Sequence, residues 1–405
     1  MKQVFIFILL LLSFSSAQSQ TADSLKVSLL TESPLSKHVW SIFGHTALRV
    51  SDPTRKLDIV LNWGEFDTEA PNFIFHFIEG KTDYFLSYAP YRGFILYFAR
   101  EGASIIEQTL NIPDDKKADL LSFLQTNLLP ENVGYRYNFV FDNCTTRPRD
   151  IIERFCGGKL IYPNQTQPVT FRQLFHQYTC PYPWLELGID CVIGSGADSL
   201  ISFRNELFLP EKLMNALNRS VVELPDGSSQ PIVLDSKTLV QPPDTQHSQL
   251  AFWAHPLAVG WLIFFLFLAL SILVYYKHLP FAFHLSPFTF HLLPFALLFF
   301  VAGAGGCIVA MLNFFSLHPC VQANWNILWL HPLHFIAVAG FFFRKSCRWI
   351  QWYHVANFLL LSGFLSGWHW IPQELNIAFI PFILSLWMVS GLQVLKILVF
   401  HCVKN

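Results

Sequence analysis

Charge is scarce in this chain: Asp, Glu, Lys and Arg make up only 14% of its 405 residues, and the formal net charge is -1. No field of one sign surrounds it, and no Lys/Arg cluster breaks the neutrality, so nucleic acid is excluded as a partner. Among its eight cysteines, no two stand at C-x-x-C or zinc-ligand spacing, which argues against a metal centre. No cofactor is expected. Lys and Arg are missing from two further stretches, 316–326 and 368–376, and that gap bears on topology below.

Apolar residues fill the space that charge leaves. They reach 52% with 41 Phe, and they are densest after Phe252. The amino terminus runs Met1-Lys2-Gln3, then apolar from Val4 to Leu12, then Ser15-Ser16-Ala17. A positive start, a short apolar core and small residues describe a secretory signal over 1–17, and the run is too short for a spanning helix. Residues 18–249 then form an exported soluble domain, closed by a linker at Gln241–Gln249, and 250–405 a membrane domain. Five spans are expected, near 257–276, 290–314, 327–343, 350–367 and 377–400. With the first running outward to inward, Lys277, Arg344, Lys345, Arg348 and Lys404 fall inside. The loops without Lys or Arg fall outside, as the positive-inside distribution requires. An exported compartment permits disulfides. With Cys144 set aside, Cys156, Cys180 and Cys191 allow at most one bridge.

Candidate chemistry centres on residues 135–150. Tyr135, Tyr137, Phe139 and Phe141 alternate with Arg136, Asn138, Val140 and Asp142, the period of a strand. Asp142-Asn143 can cap a helix, and Ile151, Ile152 and Phe155 continue at helical spacing. Cys144 is therefore expected where a strand hands over to a helix, whose first amides favour a thiolate and could receive an oxyanion. A base is available in His45, on the expected strand 43–50, behind Gly44. A third polar residue would orient it: Asn62 is favoured, with Asp58 and Asp142 as alternatives. The outer loops carry Asn324, Trp325, Asn326, His369 and Gln373, polar groups that could grip a lipid headgroup or a membrane-anchored substrate. The stretch from Gly158 to Tyr182 reads as irregular, Leu207–Leu217 as a helix, and 221–234 as a hairpin.

Histidine first and Asn-Cys later, the reverse of papain, resembles circularly permuted NlpC-type folds. Three segments, Phe43-Gly44-His45-Thr46-Ala47-Leu48-Arg49-Val50, Asn62-Trp63-Gly64-Glu65-Phe66-Asp67 and Asp142-Asn143-Cys144-Thr145-Thr146-Arg147, resemble the Lnb-type lipoprotein N-acyltransferases of Bacteroidota. Asn324-Trp325-Asn326, His331-Pro332 and Pro372-Gln373 look like the membrane part of that family. The resemblance implies an α+β, permuted papain-like soluble domain followed by an all-α bundle of five transmembrane helices. It implies Cys144 as acyl carrier and His45 as base; Asn62 stays the favoured third member on the reading of the residues given above. Arg147, Asn324, Trp325, Asn326 and Gln373 become substrate-binding candidates. The implied partners are a phospholipid acyl donor and a lipoprotein acceptor, at the bacterial inner membrane with the catalytic domain in the periplasm. One position departs from the family pattern: Pro148 stands where an apolar residue is usual, and proline removes a helical hydrogen bond. Two other readings fit the same residues, a cysteine amidase or peptidase of the cell wall and a non-catalytic membrane scaffold.

Overall fold

The computed structural model describes residues 24–163, 167–241, 250–275, 292–342 and 348–404. The expected signal at 1–17, residues 242–249 of the expected linker, and Lys277, Arg344 and Lys345 lie outside the described residues. Two compact units emerge. The first gathers the chain up to Phe73, Lys81–Pro168 and Ile201–Thr245; the second gathers Ile74–Gly80, Val169–Leu200 and the chain from Gln246. The expected boundary at 249 is thus crossed by two excursions of the soluble sequence.

The first unit is a seven-stranded sheet with the order β10-β5-β1-β2-β3-β4-β6, antiparallel throughout. Its strands are β1 Lys26–Glu32, β2 His45–Asp52, β3 Leu57–Glu65, β4 Asp83–Pro90, β5 Ile105–Leu110, β6 Gly134–Arg136 and β10 Val233–Val240. A small second sheet joins β7 Lys159–Ile161, β8 Val221–Glu223 and β9 Ser229–Pro231. The expected hairpin at 221–234 therefore ends early, and β10 leaves it to pair with β5.

Alternation assigns the two faces of the large sheet. Leu29, Leu48, Leu61 and Trp63 point into the main core, with Leu120, Leu124, Ile151, Ile152, Phe155 and Leu213 opposite. These last belong to the helices Asp114–Asn127, Thr146–Phe155 and Pro210–Leu217. On the other face a smaller cluster, Leu30, Ala47 and Val60, is covered by Phe94 of the helix Tyr91–Glu101. Among the described residues the α-helices are, in chain order, α1 Phe73–Glu79, α2 Tyr91–Glu101, α3 Asp114–Asn127, α4 Thr146–Phe155, α5 Phe171–Thr179, α6 Pro183–Val192, α7 Phe203–Glu206, α8 Pro210–Leu217, α9 Pro256–Tyr275, α10 Leu293–Phe315, α11 His334–Phe342, α12 Arg348–Ser366 and α13 Phe379–Lys404.

The second unit is helical. Among the described residues, three stretches are long and apolar enough to cross a membrane: Pro256–Leu273, Leu293–Phe315 and Phe379–Lys396. Two of the five expected spans do not take that form. The region 327–343 begins with a turn, Trp325–Leu328, and supplies only the nine-residue α11. The region 350–367 is a long helix, α12, but Gln351, His354, Asn357 and Ser362 dilute its apolar character. Three of those polar groups have partners on α13: Asn357 Nδ2 donates to Ser390 Oγ at 2.9 Å, His354 Nδ1 stands 3.3 Å from the same hydroxyl, and Ser362 Oγ accepts from Trp387 Nε1 at 2.8 Å.

The stretch read as irregular from Gly158 to Tyr182 contains α5, and α6 begins directly after it. Thr170 and Gln173 close a reciprocal cap at the start of α5, the T-x-x-Q signature that the Pro- and Gln-rich composition masked. Arg172 on α5 is fully buried and binds Asp190 at 2.8 Å and Asp198 at 2.6 Å. Such a pair contributes through geometry more than through net stability.

Candidate active site

Cys144 does not follow a long strand. β6 stops at Arg136 because Asn138 Oδ1 accepts from the Val140 and Phe141 amides, turning the backbone locally. A single bridge pairs Asn138 with Asp142, and the chain enters α4 at Thr146. Asn143 organises this entry. Its Oδ1 accepts from Thr145 N–H at 2.8 Å and Thr146 N–H at 2.9 Å. Its Nδ2 donates to Phe139 O and Phe208 O, both at 3.0 Å. Pro148 is the third residue of α4, in the first turn, where a missing N–H is tolerated. The amides on either side, Arg147 and Arg149, reach back to Asn143 O and Thr145 O, so the helical register is kept and only Cys144 O loses a donor.

β1 and β2 bring the base to this turn. The pairing Leu29↔Leu48 continues to Glu32↔His45, and the face alternation puts Ala47, Arg49, Val60 and Asn62 beside His45. His45 Nε2 hydrogen-bonds Asn62 Oδ1, so the imidazole donates there and leaves Nδ1 for the sulfur. Asn62 Nδ2 in turn donates to Glu65 Oε1. Phe98 of α2 stacks on His45 with ring centroids 6.4 Å apart. The other orienting candidates are engaged elsewhere: Asp58 binds Arg49 and Asp142 binds Arg147.

Electrostatics fit an ion pair. Burial works against the Cys144 thiolate, but the His45 charge, the hydrogen bond from His45, the Thr145 hydroxyl and the Thr46 N–H together hold the thiol below its ordinary value. Burial likewise opposes charge on His45. The Cys144 thiolate, its hydrogen bond, Glu32 and Asn62 outweigh that and push the imidazole up to about 10. Glu32 is buried and Oε1 has no hydrogen-bond partner. Burial pushes its carboxyl up to about 8, with His45 pulling it down and Cys144 pushing it up. Tyr135 also carries a buried hydroxyl without a hydrogen-bond partner, and burial and the nearby Cys144 make it harder to ionise than an ordinary phenol.

Gly64 completes the geometry. Its φ is +112°, and a Cβ there would stand 3.4 Å from Cys144 Cβ and 3.8 Å from His45 Cε1. A glycine at this point keeps the space beside the pair open. Arg147 is clamped by Asp142, at 2.6 and 2.8 Å, with its guanidinium 3.6 Å above the Tyr135 ring.

The other sequence candidates meet in the second unit. Asn324 Nδ2 donates to Cys191 O at 2.9 Å, Asn326 Nδ2 to Asp190 O at 2.9 Å, and Gln373 Nε2 to Ile193 O at 3.1 Å. Their oxygens accept from Asn326 N–H, Trp329 Nε1 and Trp325 N–H respectively. All three side chains are buried. Their amides hold residues 190–193 in place, whereas Trp325 beside them is partly exposed. Beside them, His176, Glu186 and Asp190 offer ligand atoms within 4.8 Å of one another. Asp190 already accepts from Arg172, His176 and Asn376, and the guanidinium opposes a second cation, so this group does not suit a metal ion. The described cysteines Cys144, Cys156, Cys180, Cys191, Cys307 and Cys320 are all free.

Sequence reasoning singled out Cys144, His45 and Asn62, which stand together, but not Glu32, Glu65 or Tyr135. A carboxylate at an inward position of an apolar strand was the signal for Glu32. Two family models match the chain: the Lnb N-terminal periplasmic domain over residues 15–177 and the Lnb transmembrane domain over residues 246–399. No curated protein and no solved structure is found to match it.

Proposed function

Because the chain is an Lnb-type protein, a membrane protein with a periplasmic domain, we propose that it is an acyltransferase working through a Cys144 thioester. The acyl chain comes from a phospholipid, and the acceptor is the amino terminus of a lipoprotein. One observation carries this reading: a thiol held below its ordinary value, hydrogen-bonded to an imidazole that Asn62 orients. The soluble part is read as a permuted papain-like fold, and the membrane part as a multi-pass bundle of five helices in the inner membrane.

In the first half-reaction the Cys144 thiolate adds to the ester carbonyl of the phospholipid. The tetrahedral adduct collapses as the C–O bond breaks, and the His45 imidazolium gives its proton to the departing lysophospholipid oxygen. A thioester and a neutral imidazole remain. In the second half, the neutral α-amine of the acceptor adds to the thioester. His45 takes its proton, the C–S bond breaks, and the amide leaves with the thiolate–imidazolium pair restored. Asn62 keeps the imidazole in register for both transfers. Arg147 and Trp325 are the proposed contacts to substrate.

The test traps the intermediate. Whole protein supplied with phospholipid should carry a hydroxylamine-labile acyl group on Cys144, and Cys144→Ser and His45→Ala should not. Cells lacking the protein should have lipoproteins without the N-linked chain by mass spectrometry. An unmodified Cys144 together with unchanged lipoprotein termini would refute the proposal.

A further inference from the structure

Helix α1 is out of character for a segment facing water. Five of its seven residues are Phe or Ile, and none of the seven is buried. Ile74 is 73% exposed and Phe75 53%. Isolated apolar side chains on a surface need no explanation, but a whole helix of them does.

The helix is also fastened, and to a specific place. Its last three carbonyls would be orphans in any helix. Here Phe77 O accepts from His318 Nε2 at 2.6 Å, Ile78 O from Ser316 Oγ at 2.6 Å, and Glu79 O from Leu317 N–H at 2.8 Å. Gly80, at φ +69°, lets the chain pass so close that a Cβ would stand 2.9 Å from His318 N. Residues 316–318 follow directly on α10, which is long and apolar enough to cross a membrane. The end of that span is apolar and exposed too, at Phe314, Phe315 and Leu317. Ile74 and Phe75 therefore continue the apolar surface of a membrane-spanning helix at its carboxyl end.

The geometry points to an interfacial role: α1 lies in the bilayer surface, with Ile74 and Phe75 among the acyl chains of the leaflet that the carboxyl end of α10 reaches. The partner is lipid, because the patch is continuous with the exposed apolar end of a helix long and apolar enough to cross the bilayer. A short helix of this kind gains by burying its apolar side chains at the headgroup–acyl boundary. The inference rests on α10 crossing the bilayer and is independent of the acyl-transfer chemistry.

The experiment measures depth rather than turnover. A fluorescent non-natural amino acid is placed at Phe75 in the full chain, and the protein is reconstituted in phosphatidylethanolamine–phosphatidylglycerol vesicles. The same probe at Asp119, exposed on α3 of the first unit, serves as the aqueous reference. At Phe75, nitroxides on the lipid acyl chains should quench emission severalfold more than aqueous iodide does, and at Asp119 the order should reverse. Iodide-dominated quenching at Phe75 would overturn the proposal in favour of a water-facing helix. Protection from both quenchers would overturn it in favour of a protein partner on the same patch. Neither outcome depends on whether Cys144 is acylated.

Discussion

Replacing Glu32 by Gln should change how the first unit responds to pH. In the unfolded chain this carboxyl loses its proton near 4.5, and in the folded protein burial keeps the proton to about 8. Between those values the native state binds more protons than the unfolded state, so stability falls as pH rises and levels off above about 8. At about 1.4 kcal/mol per pH unit, the whole span is worth up to roughly 5 kcal/mol. Gln keeps the shape and cannot ionise. The variant should therefore match the wild type near pH 4 and exceed it by several kcal/mol near pH 9. Hydrogen–deuterium exchange of peptides covering β1 and β2, corrected for intrinsic rates, would read this in the full chain. Activity should follow a related course. An ionised Glu32 strengthens the imidazolium, which must give up its proton to the leaving group. Acylation should then lose an alkaline limb near pH 8 in the Gln variant. Parallel exchange profiles for the two proteins from pH 4 to 9 would refute the assignment of a buried neutral carboxyl.

Other perturbations test the remaining parts of the arrangement. Asn62→Ala should lower the acylation rate about a hundredfold with Cys144 still present as a reactive thiol, since only the orientation of His45 is lost; rapid-quench measurement of the acyl-enzyme checks it. Gly64→Ala should cost about 1 kcal/mol or more, because φ is +112°. It should also slow acylation more than it alters melting, by crowding the Cys144–His45 pair. Arg172→Met leaves the buried Asp190 and the half-buried Asp198 without their guanidinium, and should destabilise the second unit by about 3–5 kcal/mol, visible as a lower melting temperature in detergent.

The site was more legible than the scaffold. His45 and Asn62 could be placed because the hairpin β2–β3 follows strict alternation, which fixes which side chains share a face. Cys144 was found beside them, but its backbone was misread. The aromatic alternation from Tyr135 to Phe141 looks like a strand, whereas Asn138 diverts the amides into a turn. Side-chain hydrogen bonds of that kind leave no periodic trace. Asn324, Asn326 and Gln373 illustrate a second limit. Their residue types suggest contact with a polar ligand, and only coordinates reveal that their partners are the carbonyls of residues 190–193. α12 was equally opaque, because its polar residues bond inward to Ser390 and α11.

The excursion Val169–Leu200 has a consequence for biosynthesis. The Asp190 carboxylate and the carbonyls of Asp190, Cys191 and Ile193 obtain partners from Asn376, Asn326, Asn324 and Gln373, all made later in the chain. This segment is therefore synthesised well before the residues that satisfy it exist. The second unit can be completed only after the stretch with Gln373 and Asn376 has been made. Until then Asp190 is a carboxylate without its full set of donors, a feature a periplasmic protease or chaperone could sense. Stalling synthesis between Phe315 and Gln373 should leave 169–200 open to cleavage, while peptides from β1 to β3 are already protected.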